Sequence, residues 1–535
     1  MARPNRSLSQ ALDAVLQALG RASHHPLWCS VAAGLLSAGL AGMMAAANGV
    51  PVPTIHDEFG YLLGADTLAR GRLVNPTPVG WEHFESFHIL MQPAYVPKFP
   101  PAPALFLALG QTVVGLPLAG VWLTNALIGA LMFWALRVWL PGRWALLGAL
   151  LAAVHPLVLR WSQCYWGGSV AALGGVIVLG AYGRIRRRDL PRAADAVMLG
   201  TGLLLLANSR PFEGLVLGLV TAIGLLVWLV KRARPVGIRQ MTTKFVLPVL
   251  IVLGVGAVWM GWYNFRATGR VTRFPYLLHE ATYSEAPLFV WQKPNPPPPY
   301  RHEVMRQFTS GWAMDLYRQQ QSWAGWWNAG VEKLRVMSSG YTWHYLLLLP
   351  TVLALARAGR TRGVLYAAVT IALTLAPLLG LTYPLLPHYA APFLPLVLLL
   401  QLQGLRLLHQ RPATCGLAAL LLLACIVMAM KYVSLEAPFG KGYPARPDLR
   451  TRAALSRQLT EKGGHHLVFV RYTPDHDPHS EWVYNGADPA TAPIVWARDL
   501  GTDRNAELIR VYPGRRVWLL EPDQPPVRLQ PYPGH

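Results

Sequence analysis

The side chains best equipped for chemistry crowd into one stretch, HDEFGYLLGADTLARGRL, which begins at His56. Asp57 and Glu58 are adjacent carboxylates with a histidine directly before them. A carboxylate in such a place can act as a general base. It is also what the first turn of a helix favours electrostatically, and acidic residues commonly cap helices. A cap and a reactive base both fit this pattern. A little further on, GWEHFESFHIL carries Glu82, His83, Glu85 and His88. Glu85 and His88 are spaced to share a helix face and, with His83, are candidates to hold a divalent metal ion. With no second pair of that kind, ordinary interfacial residues beside Trp81 are the simpler reading.

Other polar groups interrupt apolar sequence at isolated points. Lys98 precedes FPP, and Arg210 lies in NSRPFEG with Asn208 and Glu213. PLLPHYAAP carries His388 and Tyr389, and Arg160 leads into WSQCYWGG with Gln163, Tyr165 and Trp166. The planar fork of Arg210 suits a phosphate, although a local pair with Glu213 would also satisfy it. His388, Lys98 and Arg160 are further phosphate candidates. The aromatic residues after Arg160 also match a belt at a membrane interface.

These residues must be positioned by membrane-spanning helices. Of 535 residues, 53% are hydrophobic and 14% charged, well below the roughly 25% charged of soluble domains. Several uncharged runs approach the ~20 residues that cross a bilayer core. The net charge of +22 resides largely in short Lys/Arg clusters between those runs, where orientation signals sit, and this argues against nucleic acid as a partner. Four scattered cysteines, Cys29, Cys164, Cys415 and Cys425, have neither metal-like nor disulfide-like spacing and read as small core residues.

Charge also gives direction. Arg3, Arg6 and Arg21 precede the first apolar run, so residues 1–26 are expected in the cytoplasm and Asp57 outside. That run lacks a convincing cleavage site and reads as an uncleaved anchor. Basic clusters at 137–143, 184–192, 231–244, 357–362 and 406–411 then separate pairs of apolar runs: 118–140 with 143–161, 166–183 with 193–209, 212–230 with 245–264, 342–356 with 363–381, and 388–405 with 412–431. About eleven crossings result. Residues 102–116 are short, and a crossing there would reverse every later cluster, so they are expected along the outer surface. Two long outer loops follow, about 50–117 and 266–340. In the first, Phe59, Leu62, Leu63 and Leu68 predict an amphipathic helix turned toward lipid, stopped at Gly71. The proline-rich NPPPPY of the second predicts extended chain. Residues 433–535 change composition: RAALSRQLTEKG and NAELIRVY read as helices, HHLVFVRY and RRVWLLEPD as strands, which predicts a small α/β domain outside the membrane. Its DHDPHSEW carries Asp475, His476, Asp477 and His479, either a metal site or a solvated loop.

One span, an Asp-Glu pair opening a helix, and a long outer loop before further spans resemble the glycosyltransferase C superfamily. HDEFGYLLGADTLARGRL, HFESFHI, YWGGSVAALGG, NSRPFEGL and PHYAAPFLPL are similar to a bacterial branch of its RgtA/B/C/D-like grouping, related to protein O-mannosyltransferases and aminoarabinose transferases. The likeness spans roughly residues 27–432. It implies a polytopic α-helical fold and transfer of a sugar from a polyprenyl-phosphate carrier to a lipid, glycan or protein acceptor at the periplasmic face of the inner membrane. It also implies that Asp57 is the catalytic acidic residue, with Glu58 matching the second position of the pair. His56, Glu85, Glu213 and Tyr389 are expected nearby in substrate binding. The histidine-rich WEHFESFH departs from the common pattern and leaves a divalent metal open.

Two other classes fit parts of the sequence. A transporter or flippase needs ionisable groups near the bilayer midplane, yet these are scarce within the spans, with His155 the clearest exception. A non-catalytic assembly subunit would tolerate loss of both carboxylates but not of the tail.

Overall fold

The computed structural model describes residues 3–534 apart from 167, 358, 360 and 435–446. Among the described residues, seven helices are long and apolar enough to cross a membrane, from Pro26–Asn48 to Pro412–Val433. Shorter apolar helices cover Pro101–Val114, Gly142–Ala153, Ala193–Ala207 and Gly363–Leu378. This is a multi-pass membrane protein. Lipid offers no hydrophobic drive between helices, so small residues let backbones approach. Helix Pro26–Asn48 packs in this way on Pro117–Leu136: a Cβ on Gly129 would meet the Ala33 carbonyl at 2.6 Å. The amphipathic helix Arg3–Ala22 buries Leu12 and Leu16 and packs on Gly142–Ala153 and Pro412–Ser434.

Two expected spans have a different form. The run 143–161 is broken at His155, between helices Gly142–Ala153 and Pro156–Trp161. Pro156 cannot continue a helical hydrogen-bond ladder, and the His155 imidazole accepts from the Leu157 amide at 3.2 Å. In the run 342–356 only Leu348–Leu355 is α-helical, preceded by Trp343, His344 and Tyr345 at positive φ. The 14-residue helix Pro101–Val114 is about 21 Å long. It packs between helix His56–Ala69 and helix Pro117–Leu136.

Helix His56–Ala69 opens at Ile55 and stops before Gly71, whose φ of +70° only glycine adopts readily. Its apolar side is not turned to lipid. Phe59 and Leu63 are buried in a cluster with Leu467, Phe469 and Tyr484 of the tail. An amphipathic stripe specifies that a face is covered, not by what. The 266–340 region holds helices Pro275–Tyr283, Glu303–Arg306, Met314–Gln319 and Trp323–Tyr341, with a π-helical turn at Gln307–Ala313.

The tail is an α/β domain. Strands His466–Val470, Ile494–Arg498 and Arg516–Glu521 are parallel, with His466–Val470 in the middle, and Arg528–Pro531 adds an antiparallel edge. Helices Pro447–Glu461 and Thr502–Val511 accompany the sheet. The domain is tied to the first long loop, about 50–117. Asp66 accepts from the Ala487 amide at 2.7 Å, the Tyr95 hydroxyl donates to the Asn485 carbonyl at 3.0 Å, and Arg498 donates to the Glu85 carbonyl at 2.8 Å.

Candidate active site at the outer cavity

A cavity of about 660 Å³ lies where the first loop, the adjoining helix ends, the second loop and the tail meet. Asp57 projects into it from the first turn of its helix. The residue at the cap is Ile55, so Asp57 does not serve as the cap. Its side chain is 40% exposed, into a space whose walls keep bulk water away. That desolvation pushes its pKa above the ordinary carboxylate value, while the charges of Lys98 and Arg210 pull it back.

Lys98 and Arg210 both line the cavity. The Lys98 ammonium is 3.1 Å from Glu280 and 5.0 Å from the Tyr276 ring centre. Arg210 lies 4.8 Å over the Tyr389 ring, which stacks on His388 at 4.7 Å, and Trp166 meets His388 edge-on at 4.6 Å. Helix Pro211–Val236 begins directly after Arg210, so the guanidinium is held at the N-terminal end of a span. Glu213 faces the same space. Much of the remaining wall is apolar, including Met260, Leu288, Phe289, Leu378 and Leu381.

His56 and His88 join Asp57 in the lining. The His56 ring stacks on Phe87 at 4.3 Å. Glu58 points elsewhere. Its carboxylate accepts from the Thr54 amide at 2.7 Å and the Tyr165 amide at 3.0 Å, joining the start of the helix to the 162–166 turn. Burial pushes its pKa up to about 7 against the pull of those amides. Adjacent helix positions point about 100° apart, so neighbours in sequence need not share a cavity.

Glu85 is also outside the lining. It accepts from the Tyr283 hydroxyl at 2.9 Å and lies 3.3 Å from His302 and 3.5 Å from Arg301. Burial raises its pKa, but His302, Tyr283 and Arg301 outweigh this and hold it below the usual value. His83 packs toward Phe469 of the tail, with ring centres 6.2 Å apart. His83, Glu85 and His88 therefore do not converge, and among the described residues no three His, Cys, Asp or Glu side chains form a metal-holding group. In a hairpin-like loop the helical spacing that suggested a ligand pair does not apply. Arg160 is not in the lining, though its charge reaches His388.

The structure adds residues that sequence reasoning passed over. Tyr276, His279 and Glu280 line the cavity from helix Pro275–Tyr283, and Trp312 lines it from the π-helical turn. The signal was a His-Glu pair inside an otherwise apolar short helix. His479 of the tail reaches the same cavity, 4.7 Å from Trp312 and 6.0 Å from His56. Its neighbour His476 is buried, stacked on Tyr472 at 3.8 Å and paired with Asp523 at 2.6 Å. DHDPHSEW thus places its two histidines in packed surroundings, and among the described residues it forms no group of three metal-ligating side chains.

The overall fold has counterparts among solved proteins. The crystal structure of ArnT from Cupriavidus metallidurans in the apo state matches with a TM-score of 0.52 at 15% identity, over 91% of this chain and 92% of that one. The fold is that of glycosyltransferase C. ArnT bound to undecaprenyl phosphate gives a TM-score of 0.49 at 13% identity, with the same coverage of 91% and 92%. The Archaeoglobus fulgidus oligosaccharyltransferase in the apo form gives 0.45 at 12% identity, over 83% of this chain and 62% of that one. No protein-family model matches the sequence, and no curated protein matches it. Within the glycosyltransferase C fold, the first-loop helix and the outer cavity are the features that the site described here occupies.

Proposed function

We propose that this protein is a membrane glycosyltransferase that moves a sugar from a polyprenyl-phosphate-linked donor to an acceptor hydroxyl at the periplasmic face. The observation that carries the reading is the Asp57 carboxylate opening into a cavity that also holds the cations Lys98 and Arg210, with Glu213 and Glu280 among them, beside an apolar wall. The fold of ArnT and the undecaprenyl phosphate bound by that protein support it.

Asp57 removes the proton of the acceptor hydroxyl as its oxygen attacks the anomeric carbon. The bond from that carbon to the carrier phosphate breaks as the new one forms, and in-line attack inverts the configuration. Lys98 and Arg210 stabilise the charge gathering on the leaving phosphate, which is where electrostatic help is worth most. The apolar wall holds the first units of the prenyl chain. The N-terminal segment is cytoplasmic and the tail periplasmic, in the inner membrane of a bacterium.

Asp57→Asn tests the reading. A positioned general base contributes ~10²–10⁴-fold, so transfer should fall by that factor while membrane insertion and stability are kept. Glycolipid and glycan profiles of a deletion strain complemented with either form provide the measurement. Full complementation by the Asn variant would remove Asp57 from the chemistry and favour a carrier role.

A further inference from the structure

His88 stands in an unusual backbone position. Its φ is +62°, in the left-handed region that side chains other than glycine seldom adopt and that recurs at functional sites. The conformation is pinned from both sides. The His88 carbonyl accepts from the Lys98 amide at 2.9 Å, closing the small antiparallel pair in which Ile89 faces Pro97 and Leu90 faces Val96. The ring stands edge-on to Phe99 at 5.6 Å and to Phe308 at 6.1 Å, so its direction is fixed as well.

Held in this way, the His88 Nε2 lies 3.9 Å from the Asp57 Oδ2, while Nδ1 is buried with no hydrogen-bond partner. An unpaired buried N–H is rarer than an unpaired buried acceptor. The proton of a neutral His88 therefore belongs on Nε2, facing the carboxylate. The separation exceeds a direct hydrogen bond, but one oxygen at normal distance from both atoms fits between them.

We propose that His88 is the positioning residue of Asp57: its Nε2–H, directly or through one bridging oxygen, holds the carboxylate ionised and aimed into the cavity. The inference rests on the reading of Asp57 as the base. The groups that face His88 are Asp57, His56, Lys98, His279 and His479. Burial, with those cationic or potentially cationic neighbours, holds the imidazole neutral across the working range. His88 therefore acts as a fixed dipole, and the group that titrates is Asp57. Desolvation opposes ionisation of Asp57, and a donor aimed at it offsets part of that penalty.

The test follows the protonation of Asp57 by infrared pH titration of the full-length protein in lipid nanodiscs. Subtraction of the Asp57→Asn spectrum assigns the carboxyl band. His88→Gly removes the donor, and relief of the left-handed strain offsets part of the cost of the cavity left by the ring; thermal unfolding selects the conditions in which the variant is folded. The Asp57 midpoint should rise in it by about one pH unit, a tenfold change in the ionisation constant. His88→Gln, which retains an N–H donor, should restore part of the shift. An unchanged midpoint in folded His88→Gly overturns the proposal. A role confined to loop structure would change stability and leave the midpoint where it was. If the midpoint moves but Asp57→Asn still supports transfer, the pairing stands and the assigned reaction falls. If Asp57→Asn abolishes transfer and His88→Gly leaves the midpoint fixed, the reaction stands and the role of His88 falls.

Discussion

The cavity has two unlike walls. One is made at the ends of spans, where Arg210, His388 and Tyr389 sit at helix starts. The other is assembled from Lys98 of the first loop, Glu280 and Trp312 of the second, and His479 of the tail. The first wall depends on local helix geometry. The second exists only because segments hundreds of residues apart are docked, as by the hydrogen bond from Tyr95 to Asn485 and the stacking of Phe59 on Tyr484 at 4.0 Å. A chemical division follows from this under the proposed function, with donor phosphate against the span-end wall and acceptor against the loop-and-tail wall.

The strongest way to break that division is at Arg210. Arg210→Ala should lower transfer about 10²–10³-fold, the usual cost of losing one electrostatic stabiliser. It should also raise the donor KM more than the acceptor KM. The opposite pattern would move Arg210 to the acceptor side. A second test uses pH. Because desolvation raises the Asp57 pKa, the base is lost to protonation above the ordinary aspartate value of about 3.9. Activity should drop about tenfold per pH unit below its midpoint. Arg210→Ala and Lys98→Met should each move that acid limb upward, since both cations favour the ionised form. His479→Ala is a smaller probe. Loss of one polar contact should raise the acceptor KM by roughly two- to tenfold with the donor KM unchanged.

The smallest effect on activity belongs to the immediate neighbour of Asp57. Glu58→Ala leaves the Thr54 and Tyr165 amides without their acceptor. It should cost about 1–3 kcal/mol of stability, measured by thermal unfolding in detergent, while the folded fraction keeps transfer within about tenfold of the parent. A loss as large as that of Asp57→Asn would return Glu58 to the reaction.

The same contrast explains what could be read from the sequence. Arg210, His388 and Tyr389 were visible because polar residues at the edges of long apolar runs stand out, and Asp57 because it opens a periodic segment just beyond the first span. The tail helices and strands around HHLVFVRY and RRVWLLEPD followed from their periodicity, but strands Ile494–Arg498 and Arg528–Pro531 did not. The first is a short apolar run among turn-forming residues, and the second is a polar edge. The covered face of helix His56–Ala69, the fate of Glu58 and the reach of His479 were hidden for one reason. Periodicity reports that a face is buried, whereas the partner is chosen by tertiary contacts that leave no local mark.

The packing of Phe59 and Leu63 against Leu467, Phe469 and Tyr484 sets an order of events during synthesis. The segment bearing Asp57 leaves the ribosome long before the residues that cover its greasy side. Until the sheet that carries Leu467 and Phe469 has folded, that helix lacks its cover and the cavity lacks the wall that bears His479. Under the proposed function, a chain that has inserted its spans but not yet docked this domain should be inert.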